Sequence, residues 1–529
     1  MPLQFATVRA FLNRPQIPEF WLPSSITGPT GRGFPPMVLT VGRLTARLTV
    51  RLGVLPAVPG VRFAHTAKAH AKGPAKEHKG PKEPKEQAPI RKDVLVVGGG
   101  ATGLSLLRAL EHSPRTQHLD TMLVDPQPLA AKFDGWADRA TEFENRVVSL
   151  TPASVAHLDD IGAWQHVVSD RTFPYDEMRV WDGESGASID FDGWSSESGV
   201  VATMIENSNL QQALLHVLET PGRVVPAGVE SISRTLEGWP LVTLSSGEQV
   251  AARLLVGADG QQSPVRHFSG IESRGWDYGR FGVVATLHLE YDNLRSTAFQ
   301  RFLRTGPLAV LPLPDGRATL VWSTVPERAQ WLRQLAPEAV AAMVNAGTRL
   351  DMVDIDYLHT MDPSDPQAII DEVQWRLDAR PVEVQDRDDD GSLPVFVESV
   401  VPGSVAGFPL KMRHADAYIA DRVALVGDAA HTTHPLSGQG LNMGQRDVRA
   451  LAAALGTAVE RGLDIGSLLA LEPYPRECYA QNHLILGVND KLHKLYSTDC
   501  APVVALRSLG LSLVDSLDAV KKFAIAQAQ

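Results

Sequence analysis

The feature that most constrains the fold is an apolar strand that runs directly into a glycine-rich turn. Residues 94–97 form a continuous apolar run, and Gly98, Gly100 and Gly103 follow it as G-x-G-x-x-G. Continuous apolar strands are typical of parallel sheets that are buried on both faces. In such a turn the first glycine permits the bend, the second lets a pyrophosphate approach the backbone, and the third lets the next helix pack on the strand. The segment predicts a Rossmann-like unit with a helix from about Thr102.

A second strand, TMLVDPQP, completes this unit and ends in Asp125. In dinucleotide-binding proteins, an acidic residue at about this separation from the glycines accepts hydrogen bonds from the adenosine ribose. Strand, glycine turn, helix, strand and acid therefore follow the order that predicts a dinucleotide site. NAD and FAD proteins share this pattern, and an incidental glycine-rich turn is the alternative.

Two further strands end in glycine turns much later in the chain. The segment ARLLVGADGQQSPVR contains Asp259, and VALVGDAAHTTHPLSGQGLNMGQRD contains Gly427 and Asp428. Each segment alone requires no ligand. Three strand-to-glycine turns in one chain predict that the three segments converge on one long ligand.

Composition and charge exclude several classes of protein. A formal net charge of −11 over 529 residues argues against binding nucleic acid through phosphate contacts. Cys478 and Cys500 are too few for a disulfide framework and lack metal-ligand spacing. His431 and His434 do not predict a metal site, because Pro435 interrupts any shared helical face and no thiol or carboxylate completes the set. No apolar run reaches the roughly 20 residues of a membrane-spanning helix, so membrane contact would be peripheral.

The N-terminal part differs from the rest of the chain. Residues 1–63 contain arginine, serine and threonine with a single acidic residue, Glu19, which predicts a mitochondrial presequence, with a disordered arm as the alternative. Residues 64–92 are rich in lysine, proline and glycine and nearly free of large apolar side chains, which predicts a disordered linker. Folding is predicted to begin at Asp93.

The middle and the end of the chain show two other patterns. FGVVATLHLEY and LAVLPLPDGRATLVWSTV alternate apolar and polar residues, and Pro-Asp-Gly between two runs predicts a β-hairpin. After Glu472 the apolar spacing predicts closing helices that pack on the core, with a partner or membrane surface as the alternative. The apolar residues in question include Leu506, Leu509, Leu513, Val514 and Leu517.

The three glycine motifs together resemble those of a known family. They read GGGATG at 98–103, GADG at 257–260 and GDAAHTTHPLSGQGLN at 427–442. Their order resembles the single-component flavin aromatic hydroxylases, the p-hydroxybenzoate hydroxylase family, from Asp93 to about Asp447. Further stretches resemble the branch of this family that hydroxylates ubiquinone precursors; they are residues 145–164, 174–186, 204–218 and 300–323.

The resemblance implies an α/β fold. A Rossmann-like FAD-binding domain would be assembled from non-contiguous segments, beside a mostly antiparallel β-sheet substrate domain and C-terminal helices. The implied boundaries are 93–275 for the first part of the FAD-binding domain with some substrate-side strands, 276–410 for the substrate sheet, 411–472 for the second part of the FAD-binding domain, and 473–529 for the helical segment.

The resemblance also implies residues for the first half of the FAD site. Gly98, Gly100 and Gly103 would flank the pyrophosphate, and Asp125 would bind the ribose of the AMP half. Arg146 matches an arginine near the adenosine and pyrophosphate, where its rigid guanidinium suits phosphate. Asn207 lies near a position that contacts the linking part of the flavin.

For the second half, Asp428 would accept hydrogen bonds from the ribityl hydroxyls. Asp259 would serve both FAD and a nicotinamide dinucleotide, or would only order its own turn. Pro435 would cover one flavin face, and the segment after it would let the backbone approach the ring and the pyrophosphate. The implied residues of this half are Asp259, Gly427, Asp428, Pro435, Gly438, Gly440, Leu441 and Asn442. No metal is implied, and no acid or base is assigned because the cofactor carries the reaction.

The activity implied is insertion of one atom of O2 at ring C5 of a polyprenylated 4-hydroxybenzoate or phenol in ubiquinone biosynthesis, through a flavin C4a-hydroperoxide. Because only one G-x-G-x-x-G is present, NADPH would dock transiently or electrons would arrive through ferredoxin reductase and ferredoxin. The matrix side of the inner mitochondrial membrane and other subunits of a ubiquinone-biosynthesis complex are further implied partners. The alternatives are another flavin hydroxylase, a prenyl reductase of the same fold, and a non-catalytic FAD-containing scaffold subunit.

Overall fold

The computed structural model of the protein describes residues 88–498 apart from 194–197, 293–295, 383–384, 386–387, 389 and 434–437, together with 502–504 and 507. The predicted presequence lies outside the described residues, as do residues 64–87 of the predicted linker. Pro435, His434, Cys500 and the apolar C-terminal residues named above also lie outside them.

The strands form three sheets. In chain order they are β1 Ile90–Val97, β2 Thr121–Asp125, β3 Val147–Leu150, β4 Thr172–Tyr175, β5 Glu177–Asp182, β6 Ser188–Asp192, β7 Ala202–Glu206, β8 Val224–Pro226, β9 Val229–Arg234, β10 Pro240–Leu244, β11 Gln249–Gly257, β12 Ser273–Leu289, β13 Thr297–Leu303, β14 Gly306–Leu313, β15 Arg317–Thr324, β16 Val397–Val400, β17 Ala406–Ala415, β18 Ile419–Ala420, β19 Val423–Leu425 and β20 His431–Thr432.

The helices follow the same order. They are α1 Ala101–His112, α2 Leu129–Phe133, α3 Trp136–Arg139, α4 Pro152–Asp160, α5 Asn207–His216, α6 Pro264–Ser269, α7 Pro326–Leu332, α8 Pro337–Arg349, α9 Met352–Leu358, α10 Pro366–Asp378, α11 Gln439–Glu460, α12 Leu468–Leu471 and α13 Pro473–Tyr496.

The first sheet brings the three glycine motifs together. Its central strands lie in the order β19-β11-β1-β2-β8 and all run parallel. Residues 94–97 are buried, as expected for strands covered on both faces. Because the carboxyl ends of parallel strands meet at one edge of a sheet, the turns after β1, β11 and β19 lie next to each other. The prediction that the three segments converge is confirmed.

The first strand begins earlier than predicted. β1 starts at Ile90 rather than Asp93, so the last three residues assigned to the linker are part of the sheet. Ile90, Arg91 and Lys92 pair with Val250, Ala251 and Ala252 of β11. Backbone pairing with a long neighbouring strand extends β1 into a charged stretch whose composition had indicated a linker.

The second sheet is mostly antiparallel, as predicted. Its order is β20-β17-β12-β15-β14-β13-β5-β6, with β16 beside β12, and only the β13–β5 pair in it is parallel among the described strands. The predicted Pro-Asp-Gly hairpin joins β14 to β15. Asp315 and Gly316 have φ of 57° and 66°, the left-handed conformation that a tight two-residue turn requires.

The alternating pattern in this sheet separates a core face from a cleft face. Leu308, Leu320 and Trp322 are buried against α7–α10. Ala309 and Val321, one position away, face an open cleft. One face packs on helices and the other lines the cleft, so neither is openly exposed to solvent. For this reason β13, β14 and β15 are buried along almost their whole length.

Helices α7–α10 were not predicted within the 276–410 segment. Each of α7, α8 and α10 begins with a proline at its first turn, and α8 buries Val340, Met343 and Val344 at helical spacing. Both signals were present in the sequence. Closing helices after Glu472 were predicted, and α13 is confirmed there. None of the helices in the described ranges is long and apolar enough to cross a bilayer.

Candidate active site

A cleft of about 740 Å³ lies between the glycine turns of the first sheet and one face of the second sheet. This volume is within the range of about 300–1,000 Å³ typical of cofactor and substrate sites. One side, called the motif wall, consists of Gly100, Ala101, Thr102, Ala258, Gly260, Val426, Asp428, Gly438, Gly440 and Leu441. The other, called the sheet wall, consists of Val284, Gln300, Pro307, Ala309, Leu311, Val321, Ser323, Ala406, Gly407 and Phe408.

The glycines of the first motif have two different structural roles. A Cβ atom on Gly98, whose φ is 107°, would lie 2.3 Å from the carbonyl oxygen of Ala258. A Cβ on Gly103 would lie 2.0 Å from the carbonyl oxygen of Gly98. By contrast, a Cβ on Gly100 would meet no atom within 4 Å. Gly98 and Gly103 therefore permit close backbone packing, whereas Gly100 faces the open cleft at the start of α1.

This difference predicts opposite outcomes for two alanine substitutions. Gly100→Ala is expected to fold with an unchanged melting temperature but to bind FAD about 10-fold or more weakly, because its methyl group would occupy cleft space that a pyrophosphate needs. Gly98→Ala is expected to reduce soluble yield severely, because its methyl group would overlap backbone atoms. Thermal melts and flavin titration of both variants check this. Equal effects of the two substitutions would contradict the assignment of separate roles.

The predicted residues of the first half of the FAD site, other than the glycines, are only partly brought together. Asp125 accepts hydrogen bonds from the backbone N–H groups of Gly99 at 2.7 Å and Gln127 at 2.8 Å, and it is not one of the cleft-lining residues. Arg146 is exposed and lines the cleft beside Asn207, the first residue of α5. The backbone N–H of Asn207 donates to the carbonyl of Arg146 at 3.0 Å. The roles assigned to these three residues remain predictions.

Gln211 was missed by the sequence analysis. It lies one turn after Asn207 in α5, lines the cleft, and donates from its amide to the carbonyl of Gly99 at 2.9 Å. The contact ties α5 to the first glycine turn. Its spacing of four residues from Asn207 was the available signal, since such residues share a helix face.

Asp259 orders its own turn. Its Oδ2 accepts a hydrogen bond from the backbone N–H of Val265, near the start of α6, at 3.2 Å. Burial raises the pKa of its carboxyl, although hydrogen bonds from Ser263 and the backbone oppose the shift. Its neighbours Ala258 and Gly260 line the cleft and Asp259 does not. These contacts agree with the turn-ordering alternative, and a direct role toward FAD remains a prediction.

Asp428 is a free carboxylate on the motif wall. It is exposed where it faces the cleft, while the surrounding protein raises the pKa of its carboxyl, a shift that nearby His431 opposes. Within the described part of the chain its carboxylate has no hydrogen-bond or ion-pair partner. The preceding residue, Gly427, has a φ of 59°, which turns the chain at Asp428. Gly427 also packs on Thr102, because a Cβ on Gly427 would lie 3.1 Å from Thr102 Oγ1.

The start of α11 also faces the cleft. Gly438, with a φ of 62°, is its N-cap, and no side chain caps it. The first backbone N–H groups of a helix have no partner within the helix, and they carry its positive end. Gly440 and Leu441 line the cleft at this point. Two helix starts, those of α1 and α11, therefore point toward the same cleft.

The side chain of Asn442, in contrast, is used inside the protein. Its Oδ1 accepts from the backbone N–H of Thr151 at 3.0 Å and from the hydroxyl of Ser154 at 2.8 Å. Its Nδ2 donates to the carbonyl of Ser149 at 2.8 Å. Asn442 is buried and ties α11 to β3 and α4, so any contact with FAD would have to come from its backbone.

His431 and Asp447 form a buried pair directly behind the Gly427–Asp428 turn. His431 Nε2 lies 2.6 Å from Asp447 Oδ2, and that oxygen also accepts from the backbone N–H of Gly427 at 2.9 Å. Asn482 donates to the other oxygen at 3.1 Å. Burial alone would lower the pKa of His431, but the charge and hydrogen bond of Asp447, together with the charge of Asp428 and a backbone hydrogen bond, outweigh burial and raise it. Asp447 was not predicted as a site residue. The available signal was an acidic residue on the buried face of an amphipathic helix.

Comparison with known proteins identifies the family. The sequence pattern of the "FAD binding domain" family matches residues 91–362 and 397–480, which contain all three glycine motifs. "Ubiquinone biosynthesis monooxygenase COQ6, mitochondrial" of Saccharomyces cerevisiae is 43% identical over 457 residues, or 83% of this chain and 94% of that protein. The chain belongs to the family of FAD-dependent ubiquinone-biosynthesis monooxygenases.

A second relative agrees with this assignment, and a solved structure shows the same fold. The protein of the same name from Schizosaccharomyces pombe is 40% identical over 446 residues, or 82% of this chain and 91% of that protein. Klebsiella pneumoniae HpxO, solved with FAD and uric acid, has the same fold, with a TM-score of 0.57 at 16% identity over 83% of this chain and 97% of that chain.

The cleft of this FAD-dependent monooxygenase fits the cofactor. Pyrophosphate is an anion, and two helix starts reach the motif wall. The flavin side chain carries hydroxyl groups, and the carboxylate of Asp428 has no partner among the described residues. The space beside Gly100 is open. The residues present therefore supply matching groups for both the charged and the neutral parts of FAD.

Proposed function

We propose that this chain inserts one atom of O2 at ring C5 of a polyprenylated 4-hydroxybenzoate or phenol in ubiquinone biosynthesis. The observation that carries the proposal is the division of one cleft into two unlike walls. The motif wall offers helix starts and a carboxylate, while the sheet wall is mostly apolar. Among the described lining residues, the charged ones are Arg146 and Asp428, and neither lies on the sheet wall. Such a cleft can hold a dinucleotide on one side and a lipid-like aromatic molecule on the other.

On the motif wall, the start of α1 at Gly100 would receive the pyrophosphate, with Arg146 near the adenosine and pyrophosphate and Asn207 near the linking part of the flavin. Asp428 would accept hydrogen bonds from the ribityl hydroxyls. The start of α11, from Gly438 to Leu441, would approach the flavin ring, where its positive end stabilises negative charge on the reduced flavin. When bound and reduced, FAD supplies the oxygen-activating chemistry. The protein orients the ring of the substrate and excludes water.

Electrons would come from NADPH through ferredoxin reductase and ferredoxin. The support is that the sequence has a single G-x-G-x-x-G, which leaves no second fingerprint for a resident nicotinamide dinucleotide. The relatives are named as mitochondrial proteins, and we propose the matrix side of the inner membrane for this chain, held peripherally and with other biosynthetic subunits. Residues 1–63 would serve as the presequence. The domain boundaries predicted from the sequence are proposed as well, except that the FAD-binding domain begins at Ile90.

The proposed activity predicts a defined product. The purified protein with FAD, a short-chain prenylated 4-hydroxybenzoate or phenol, and a ferredoxin system should yield a product with one added oxygen atom, labelled from 18O2 and located at C5 by NMR. Reduction of the flavin should be fast with the ferredoxin system and slow with NADPH alone.

Other outcomes would contradict specific parts of the proposal. A product with a reduced tail and no added oxygen would indicate a prenyl reductase. Rapid reduction by NADPH alone would remove the ferredoxin step. If a variant that binds FAD but cannot be reduced still supported ubiquinone synthesis in cells, the protein would be a scaffold subunit rather than the hydroxylase.

A further inference from the structure

One carboxamide stands out on the sheet wall. Gln300 lies in the middle of β13 and lines the cleft. Its partners across the sheet are Ala309 of β14, then Val321 of β15 and Val284 of β12, and all three also line the cleft. Among the described residues of the sheet wall, the other polar side chain is Ser323. Gln300 is therefore set in a row of small apolar residues.

Within the described part of the chain, the amide of Gln300 has no hydrogen-bond partner. The residue is 5% exposed, and within the described part of the chain no hydrogen bond involves its side chain. Elsewhere in the same domain, the buried amide of Asn345 exchanges two hydrogen bonds with Val397, of 2.9 and 2.8 Å. The amide atoms of Gln300 are not among the fully buried atoms without a partner, so the amide is accessible from the cleft. The remaining accessibility of Gln300 faces the cleft, so a molecule that enters the cleft can reach it.

We propose that the Gln300 carboxamide anchors a ring hydroxyl of the phenolic substrate and so sets which ring carbon faces the flavin. The proposal deepens the proposed function and rests on it. A carboxamide offers both N–H donors and a carbonyl acceptor, and a hydroxyl both accepts and donates, so one hydroxyl satisfies both ends of the amide. A carboxylate would leave the amide oxygen unpaired, and an ammonium group would leave the amide N–H groups unpaired.

The neighbourhood of Gln300 suits a ring. Tyr175 packs with Ala298, two residues before Gln300 on β13, and with Leu311 on β14. The hydroxyls of Tyr175 and Ser149 pair with each other at 2.9 Å, and both residues line the cleft. Because these hydroxyls already have a partner, the polar side chains that the described sheet wall offers to a substrate hydroxyl are those of Gln300 and Ser323. Of the two, the carboxamide of Gln300 carries separate donor and acceptor groups.

The experiment is a thermodynamic cycle between protein and ligand. The FAD-loaded wild type and Gln300→Met, which keeps side-chain length but removes both hydrogen-bonding groups, are titrated with a short-chain prenylated phenol and with its analogue lacking the hydroxyl. Wild type is expected to bind the phenol about 10-fold or more tightly than the analogue. Gln300→Met is expected to bind the two alike, and its hydroxylated product should lose regioselectivity. Binding is read from the flavin absorbance change.

Controls separate this inference from the proposed function. Gln374→Met makes the same change at an exposed position of α10 and should behave as wild type. If wild type hydroxylates no phenol, the proposed function fails. If wild type hydroxylates the phenol but Gln300→Met keeps the full preference for it over the analogue, the anchoring role is wrong while the function stands. Loss of FAD in Gln300→Met would also overturn the inference, because it would place the amide against the cofactor.

Discussion

Asp428→Ala is expected to produce a folded protein that purifies nearly free of FAD. The carboxylate faces the cleft, and within the described chain it has no partner of its own. A hydrogen bond to a charged acceptor contributes about 1.5–3 kcal/mol, so the loss of the two proposed contacts with ribityl hydroxyls should weaken FAD binding by about 100-fold or more. Flavin absorbance of the purified protein and fluorescence titration with FAD measure the effect.

The same substitution should make the flavin-free protein more stable at neutral pH. Although the Asp428 carboxyl is exposed to the cleft, desolvation by the surrounding protein raises its pKa, so the ionised form is disfavoured in the folded state. The stability associated with the protonated form is present below the ordinary pKa of about 3.9 and is lost as pH rises through the higher folded value. Asp428→Ala removes this penalty, so the melting temperature of the flavin-free variant should exceed that of flavin-free wild type at pH 7.

A matched control is Asp421→Ala, at an exposed aspartate of the β18–β19 turn that pairs with Arg234. It should retain wild-type FAD content. Wild-type FAD affinity in Asp428→Ala would contradict the assignment of this carboxylate to the cofactor. A lower melting temperature of the flavin-free variant would instead show that Asp428 has a structural partner.

Asp447→Asn is expected to cause the largest loss of stability. Its side chain is fully buried, as is that of His431, and one of its oxygens accepts from both His431 and the backbone N–H of Gly427. Removing one partner of a buried ion pair typically costs about 3–5 kcal/mol, because the other charge is left uncompensated. The free energy of unfolding, from urea denaturation, should fall by an amount of this order. FAD content should fall with it, because Gly427 precedes Asp428.

The pair also gives the protein a defined pH dependence. The pKa of His431 is raised in the folded protein, so its contribution to stability is fully present below its ordinary value of 6.5 and is lost as pH rises through the higher folded value. Wild type should therefore lose stability on the alkaline side, and Asp447→Asn should show a flatter profile there. Asp371→Asn, at an exposed position of α10, serves as the control and should follow wild type. A wild-type profile in Asp447→Asn would refute the ion pair.

The sequence predicted the elements whose signals are local. The first strand, the glycine turn and α1 were readable because apolar runs, glycine spacing and helical periodicity involve adjacent residues. The Pro-Asp-Gly hairpin followed from the conformational preferences of three residues. Even so, the predicted start at Asp93 was three residues too late, because pairing with β11 extends β1 back to Ile90.

The candidate site was predictable only in part. Gly98, Gly100 and Gly103 were identified together, but only their surroundings separate the packing roles of Gly98 and Gly103 from the open position of Gly100. Asn442 is the asparagine of the third glycine motif, yet its side chain binds residues about 290 positions earlier in the chain, such as Thr151 at a separation of 291.

By itself, the sequence determined the Rossmann-like start, the three glycine turns and the hairpin sheet, since each depends on residues close together in the chain. Only the tertiary structure decided that Asp447 supports the Asp428 turn. It also decided that, among the described residues, the Asp428 carboxylate and the Gln300 amide in the apolar wall have no partner. The physical reason is that the role of a polar group depends on whether a donor, an acceptor or open space lies next to it. Those neighbours belong to segments that meet only when the sheets and helices pack.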